Sequence, residues 1–123
     1  MKFTRAIPIM RIFDEAKARE FYVDFLGFKV DFEARFTETA PLFMGISRAG
    51  IQLYLSEHHG DGSPGHYVLI DMEGVEELHA EIKAKRYKYM NPGLQKQEWG
   101  RLEVVVYDPF GNRLIFSEVV DHP

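Results

Sequence analysis

The chain has 123 residues, 46% hydrophobic and 28% charged, with a formal net charge of -4 at pH 7 and no cysteine. That length and balance fit one compact domain with a modest core, and they exclude a disordered chain, a disulfide framework and a thiolate metal site. The negative balance gives no reason to approach nucleic acid, no apolar run could span a bilayer, and MKFTRAIPIM lacks the features of a signal peptide. No nucleic-acid or membrane partner is therefore expected, and the expected location is cytoplasmic. Basic residues run together only in AKRYK, positions 84 to 88, which reads as a solvated helix end.

In chain order, FTRAIPIMR at 3 to 11 reads as a strand. DEAKAREFYVDFLGF reads as a helix, because Ala18, Phe21, Tyr22 and Phe25 fall at i, i+3, i+4 and i+7 and form one apolar stripe. Asp14 can cap its start and Gly27 can end it. FKVDFEARF alternates as a strand does, and LFMGIS and IQLYLS are short apolar runs joined through SRAG, a hairpin signal. The first half is thus β-α-β-β-β. EHHGDGSPGH, 57 to 66, then places three of the five histidines beside Glu57 and Asp61. Imidazole and carboxylate suggest a metal site, but the adjacent His58 and His59 on a glycine-rich loop are poorly placed for tetrahedral coordination. A solvated linker, with no metal bound, is expected there. HYVLIDM follows as a strand, and GVEELHAEIKAK as a helix with Val75, Leu78 and Ile82 on one face. YKYMNP is ambiguous. LEVVVYD and NRLIFSEV are strands around DPFGN, a turn with Pro to preset φ and Gly to relax it.

The second half repeats the order of the first. A repeat of about 55 residues suits a duplicated module, because neither small sheet buries both faces alone. The fold class expected is α+β: one domain, 1–123, made of two βαβββ modules, 1–58 and 64–120, whose curved mixed sheets form a cup. In IQLYLS, Ile51, Leu53 and Leu55 should face the helices, while Gln52, Tyr54 and Ser56 line the concave side.

The duplicated pattern, FYVDFLGFKV at the first helix, and EWGRLEVVVYDPFGNRLIFSE near the end together resemble the glyoxalase/bleomycin-resistance superfamily, also called vicinal oxygen chelate proteins. The resemblance covers nearly the whole chain. WGR at 99 to 101, followed by a strand and DPFGN, is most similar to the bleomycin-resistance branch. Metal-dependent members of the superfamily place ligands on the first and last strand of each module, and motif alignment puts those places at Ile7, Gln52, His66 and Ile115. Only His66 is a usual ligand, so the resemblance implies a metal-free site with no cofactor.

The bleomycin-resistance branch implies a homodimer that sequesters a bleomycin-like antibiotic in crevices at the subunit interface, without chemistry and with no catalytic residue. Its planar rings would lie between aromatic side chains, for which this chain offers Phe32, Phe36, Tyr54 and Trp99. Gln52, His66, Arg101 and Gly111 complete the candidate ligand-binding set. Asp31, Glu33 and Glu38 are candidates to line the path of a cationic tail. Each aromatic has an alternative role in the core, His66 could equally be satisfied by its neighbours, and Gly100 and Gly111 could serve turns alone. The alternative function is a superfamily enzyme acting on a small electrophile or dicarbonyl, with His66 or Glu103 as general base. Nothing in the sequence places a second catalytic group beside either.

Overall fold

Strand β1 (Ile9–Arg11) is far shorter than FTRAIPIMR predicts in the computed structural model, which describes residues 1–121. Pro8 is the reason: it has no N–H to give to a ladder, and its carbonyl makes the last contact, accepting from the Tyr54 N–H at 2.9 Å. Helix α1 (Glu15–Ala18) begins at Asp14, whose side chain accepts from the Lys17 N–H, and runs into a π-helical segment, Arg19–Phe25. The predicted stripe is buried there, with Phe21 and Tyr22 at 0% exposure. The backbone nevertheless differs from the α-helix predicted, because the Leu26 N–H reaches back to the Phe21 carbonyl (2.9 Å). This wider turn keeps Leu26 buried alongside three large rings, in which Phe21 and Tyr22 meet edge-on at 4.9 Å.

Next come β2 (Lys29–Ala34), β3 (Phe43–Arg48) and β4 (Ile51–Ser56). Ala49 and Gly50, both at positive φ (50° and 91°), make the two-residue turn that sets the register of β3 against β4. The first sheet has the order β1-β4-β3-β2, with β1 parallel to β4 and the other pairs antiparallel. Met44, Ile46, Leu53 and Leu55 are fully buried with the helical stripe, as the alternation in IQLYLS requires.

Residues 57 to 62 depart from the solvated linker expected. The Glu57 N–H donates to the Leu42 carbonyl (2.8 Å), the Glu57 carboxylate accepts from the Leu42 N–H (3.0 Å), and Arg11 Nη1 donates to the His58 carbonyl (2.7 Å). Ser56 Oγ donates to Asp61 Oδ2 at 2.9 Å. Gly62, at φ +65°, lies so close to β1 that a Cβ would fall 2.6 Å from the Ile9 carbonyl oxygen. Ordered hydrogen bonding therefore folds this stretch onto the first sheet, and its glycines serve close approach as well as turning.

The chain divides into two compact units, Met1–His66 and a second that begins at Tyr67. The second contains β5 (Tyr67–Asp71), α2 (Val75–Ala84), β6 (Gln95–Gln97), β7 (Arg101–Tyr107) and β8 (Arg113–Val119), with sheet order β5-β8-β7-β6. Val75, Leu78 and Ile82 are buried, and α2 lies against β7 and β8. The first amides of α2 are met by Glu118 of β8, whose Oε1 accepts from both the Gly74 and the Val75 N–H at 3.1 Å. YKYMNP forms neither helix nor strand. The edge strand β6 lies in the polar run QKQ, where no alternation announces it. Each unit is thus one four-stranded mixed sheet with its helix on one face, and the fold is α+β.

Candidate functional site

The face of the first sheet turned away from the helix carries an aromatic cluster. Register dictates its membership: Tyr54 lies opposite Gly45 on β3, Phe32 lies opposite the same glycine from β2, and Phe43 lies opposite Ser56. With a side-chain period of two, Phe32, Phe43, Tyr54 and Gln52 share one face, and Leu53 and Leu55 take the other. The three rings touch, with Phe32 and Phe43 stacked at 6.2 Å between centroids, Phe32 and Tyr54 edge-on at 5.4 Å, and Phe43 and Tyr54 at 5.3 Å. Gly45 is the seat of the cluster, since a Cβ there would fall 2.2 Å from Phe32 Cε1. Phe32 remains 39% exposed. The exposed part of the Phe32 ring in this group can receive another flat ring.

Gln52 sits two residues along β4 from Tyr54, on the same face, and its Oε1 is buried without a partner among the described residues. Phe36 lies past the end of β2, highly exposed, and meets His58 edge-on at 6.3 Å. The acidic lining expected from Asp31 and Glu33 is already engaged. Glu33 pairs with Arg19, and Asp31 accepts from Ser47 Oγ at 3.0 Å. Those carboxylates serve the sheet's own basic and hydroxyl groups, which weakens their claim on a cationic tail.

In the second unit, the face of the sheet turned away from α2 carries a polar chain. Arg101 Nη1 donates to Asp71 Oδ1 (3.0 Å) and to Ser117 Oγ (2.9 Å), and that hydroxyl donates to Glu103 Oε2 (2.7 Å). Glu103 and Ser117 are buried, so the hydroxyl both satisfies the carboxylate and relays its charge to the guanidinium. Nearby on the same face, the Arg113 guanidinium lies 3.6 Å from the centre of the Tyr67 ring. Trp99 stands in the turn between β6 and β7, 69% exposed. Gly111 is in the turn at the other end of β7, at φ +87°, and a Cβ there would meet nothing within 4 Å. A seven-residue strand separates the two turns by roughly 20 Å, so this unit does not bring Trp99 and Gly111 together. Gly111 is accounted for by its turn. His66 belongs to the first unit and immediately precedes β5.

The ladder registers also test the superfamily's metal places. The Ile12 N–H donates to the Ser56 carbonyl (2.9 Å) as the Met72 N–H donates to the Ser117 carbonyl (2.8 Å), which makes Ser56 and Ser117 equivalent. Counting back from them, Ile115 corresponds to Tyr54 rather than Gln52, and Ile7 corresponds to Tyr67 rather than His66. Isoleucine has no donor atom and a phenol is not a usual ligand for a divalent ion, so these residues do not fit the superfamily's metal. Among the described residues, no group of three or more His, Asp or Glu side chains is arranged to hold one.

Sequence reasoning missed Phe43, Gly45 and the Asp71–Arg101–Ser117–Glu103 chain. The first two were recoverable by counting back from the turn in SRAG, which fixes Phe43 opposite Ser56 and Gly45 opposite Tyr54. The polar chain had no sequence signal, because its four members come from three strands.

Among solved structures, the chain is similar to the bleomycin-binding protein from bleomycin-producing Streptomyces verticillus, determined with copper(II)-bleomycin, at 26% identity over 99% of both chains and a TM-score of 0.67. It is also similar in fold to a glyoxalase-related enzyme from Clostridium phytofermentans (19% identity, 98% of both chains, TM-score 0.73). A bleomycin resistance determinant encoded on the transposon Tn5 matches at 18% identity, over 94% of this chain and 98% of that one, with a TM-score of 0.70. No curated protein matches the chain. A family model described as glyoxalase superfamily protein matches residues 1–122, and with the duplicated sheet-and-helix units described above, the chain belongs to the glyoxalase superfamily.

Proposed function

We propose that this protein binds and sequesters a planar aromatic, cationic small molecule of the bleomycin class, by stacking and hydrogen bonding, with no bond made or broken. The observation that carries this reading is the Phe32, Phe43 and Tyr54 cluster on one face of the first sheet, with the buried Gln52 amide oxygen, which has no partner among the described residues, beside it. A ring can stack on the aromatic group, and a ligand N–H can satisfy Gln52. The likeness to the Streptomyces verticillus protein, which is bound to copper(II)-bleomycin and matches along its whole length, supports the same class of ligand. In the second unit taken by itself, the exposed Trp99 and the half-buried Arg101 are proposed as an aromatic and a polar contact for a ligand of the same class. The protein is proposed to work as a homodimer, a form supported by apolar side chains left exposed on one copy, among them Phe3, Phe13 and Leu69.

The test is a calorimetric titration of metal-free bleomycin into the protein, with Trp99 fluorescence followed in parallel. Saturable binding near one ligand per chain is expected, with Trp99→Ala weakening it by about 2 kcal/mol, roughly 30-fold. Heat without saturation, or none at all, rejects the class of ligand. Unchanged affinity in Trp99→Ala, with the fold intact, removes that ring from the site.

A further inference from the structure

In the second sheet, strands β5, β8 and β7 form a cross-strand row in which Arg113 lies opposite Tyr67 on one side and Tyr107 on the other. The side-chain period of two turns all three away from α2, on the face opposite the buried Ile70, Val106 and Leu114. The Arg113 guanidinium lies 3.6 Å from the centre of the Tyr67 ring, and the Tyr107 ring flanks it at 6.0 Å. Stacking takes one face of the planar cation and leaves its edge, where all five N–H donors lie. Arg113 is half-buried, yet it has no hydrogen-bond or ion-pair partner among the described residues. The registers place no Asp or Glu in its row, and none in the next, which holds Leu69, Ile115 and Val105. Asp71 and Glu103 stand two rows away, roughly 14 Å along the strands. They are engaged by Arg101 and Ser117.

A guanidinium held partly out of water with its donors unused calls for a planar pair of acceptors, and a carboxylate supplies one through two parallel hydrogen bonds. Neither row holds a second Lys or Arg, so the site matches a single negative charge. Tyr67 holds the fork in place before any ligand arrives, which lowers the cost of ordering it. The body beside the carboxylate meets Tyr107, 53% exposed, and the half-buried Val105 one row in, and an aromatic ring suits both. Leu69, an exposed side chain that a second copy could cover, is not needed for this contact. We propose that the Tyr67–Arg113–Tyr107 row binds a small aromatic monocarboxylate, with the carboxylate on the edge of Arg113 and the ring against Tyr107. The row lies roughly 20 Å along β7 from Arg101, shares no residue with the aromatic cluster of the first unit, and does not rest on the stacking reading.

The full-length, 15N-labelled protein is titrated with sodium benzoate at neutral pH and constant ionic strength. The Arg113 Nε–H signal and the amides of Tyr67, Tyr107 and Arg113 are expected to shift and saturate, while sodium chloride leaves them in place. Benzamide, which keeps the ring without the charge, and acetate, which keeps the charge without the ring, should each bind at least about 10-fold more weakly than benzoate. Arg113→Lys keeps the charge but loses the fork, and it too should weaken benzoate by about 10-fold or more. Shifts that fail to saturate, that chloride reproduces, or that survive unchanged in Arg113→Lys overturn the proposal. So does benzamide or acetate binding as tightly as benzoate. Absence of any shift, together with a change in sedimentation mass in Arg113→Lys, assigns the row to a contact with a second copy and overturns it as well.

Discussion

Asp108→Ala is expected to destabilise the protein by about 3 to 4 kcal/mol, measured as a fall in the denaturant midpoint. Asp108 is only 5% exposed, and its carboxylate organises the turn between β7 and β8. Oδ1 accepts from the N–H groups of Phe110 and Asn112, both at 2.8 Å, and Oδ2 accepts from the Asn112 side-chain amide at 2.7 Å. Hydrogen bonds to a charged acceptor contribute more than neutral ones, and truncation leaves buried N–H donors with nothing in their place. Asn112 is fully buried, so water cannot readily take over there. The Asn112→Ala variant, which loses the Oδ2 contact but keeps both backbone contacts to Oδ1, should lose about half as much. If Asp108→Ala costs less than about 1 kcal/mol, then Pro109 and Gly111 hold the turn by backbone preference alone.

That turn shows where sequence reasoning stops. DPFGN reads as a turn from its proline and glycine, which are local preferences of the backbone. The organising group is the aspartate, and its role depends on burial, which the five residues do not encode by themselves. The same division runs through the chain. The strands of IQLYLS and LEVVVYD, the burial of Ala18, Phe21, Tyr22 and Phe25, and the helix over Val75–Ala84 follow from periodicity, and the structure has them. The π-helical turn does not follow, because it comes from fitting large rings into a core rather than from a pattern in the sequence. Strand β6 does not follow either, since QKQ becomes a strand only by pairing with β7. For the site, Phe32 and Tyr54 are legible as aromatic residues on alternating strands. Their mutual contact requires the register across β2, β3 and β4, with an irregularity between Val30 and Phe32 that no alternation pattern reveals. The linker differs from its expectation for a related reason: glycines in EHHGDGSPGH suggest freedom, but Gly62 is there because a backbone carbonyl occupies the space of its missing side chain.

Gly45→Val is expected to reduce affinity for a flat aromatic ligand at least 100-fold, about 2.7 kcal/mol, while the protein stays folded. Gly45 lies inside β3 without a positive φ, so its backbone accepts a β-branched residue, and valine suits a strand. What the backbone accepts, the site does not. The nearest atoms to a Cβ at this position are three carbons of the Phe32 ring, at 2.2, 2.8 and 2.8 Å, so the ring must leave the glycine and valine methyls take its place. Phe32 takes part in two of the three ring contacts of the cluster, with Phe43 and with Tyr54, and displacing it leaves only the Phe43–Tyr54 pair. The loss combines a missing stacking surface with a steric block, which is why it should exceed that of removing the separate Trp99 ring. Phe32→Ala supplies the control, because it removes the ring without filling the space and should lose less than Gly45→Val. Equal affinity in Gly45→Val and the parent protein, with far-ultraviolet dichroism unchanged, would mean that ligand binds elsewhere and that the aromatic cluster only packs the sheet.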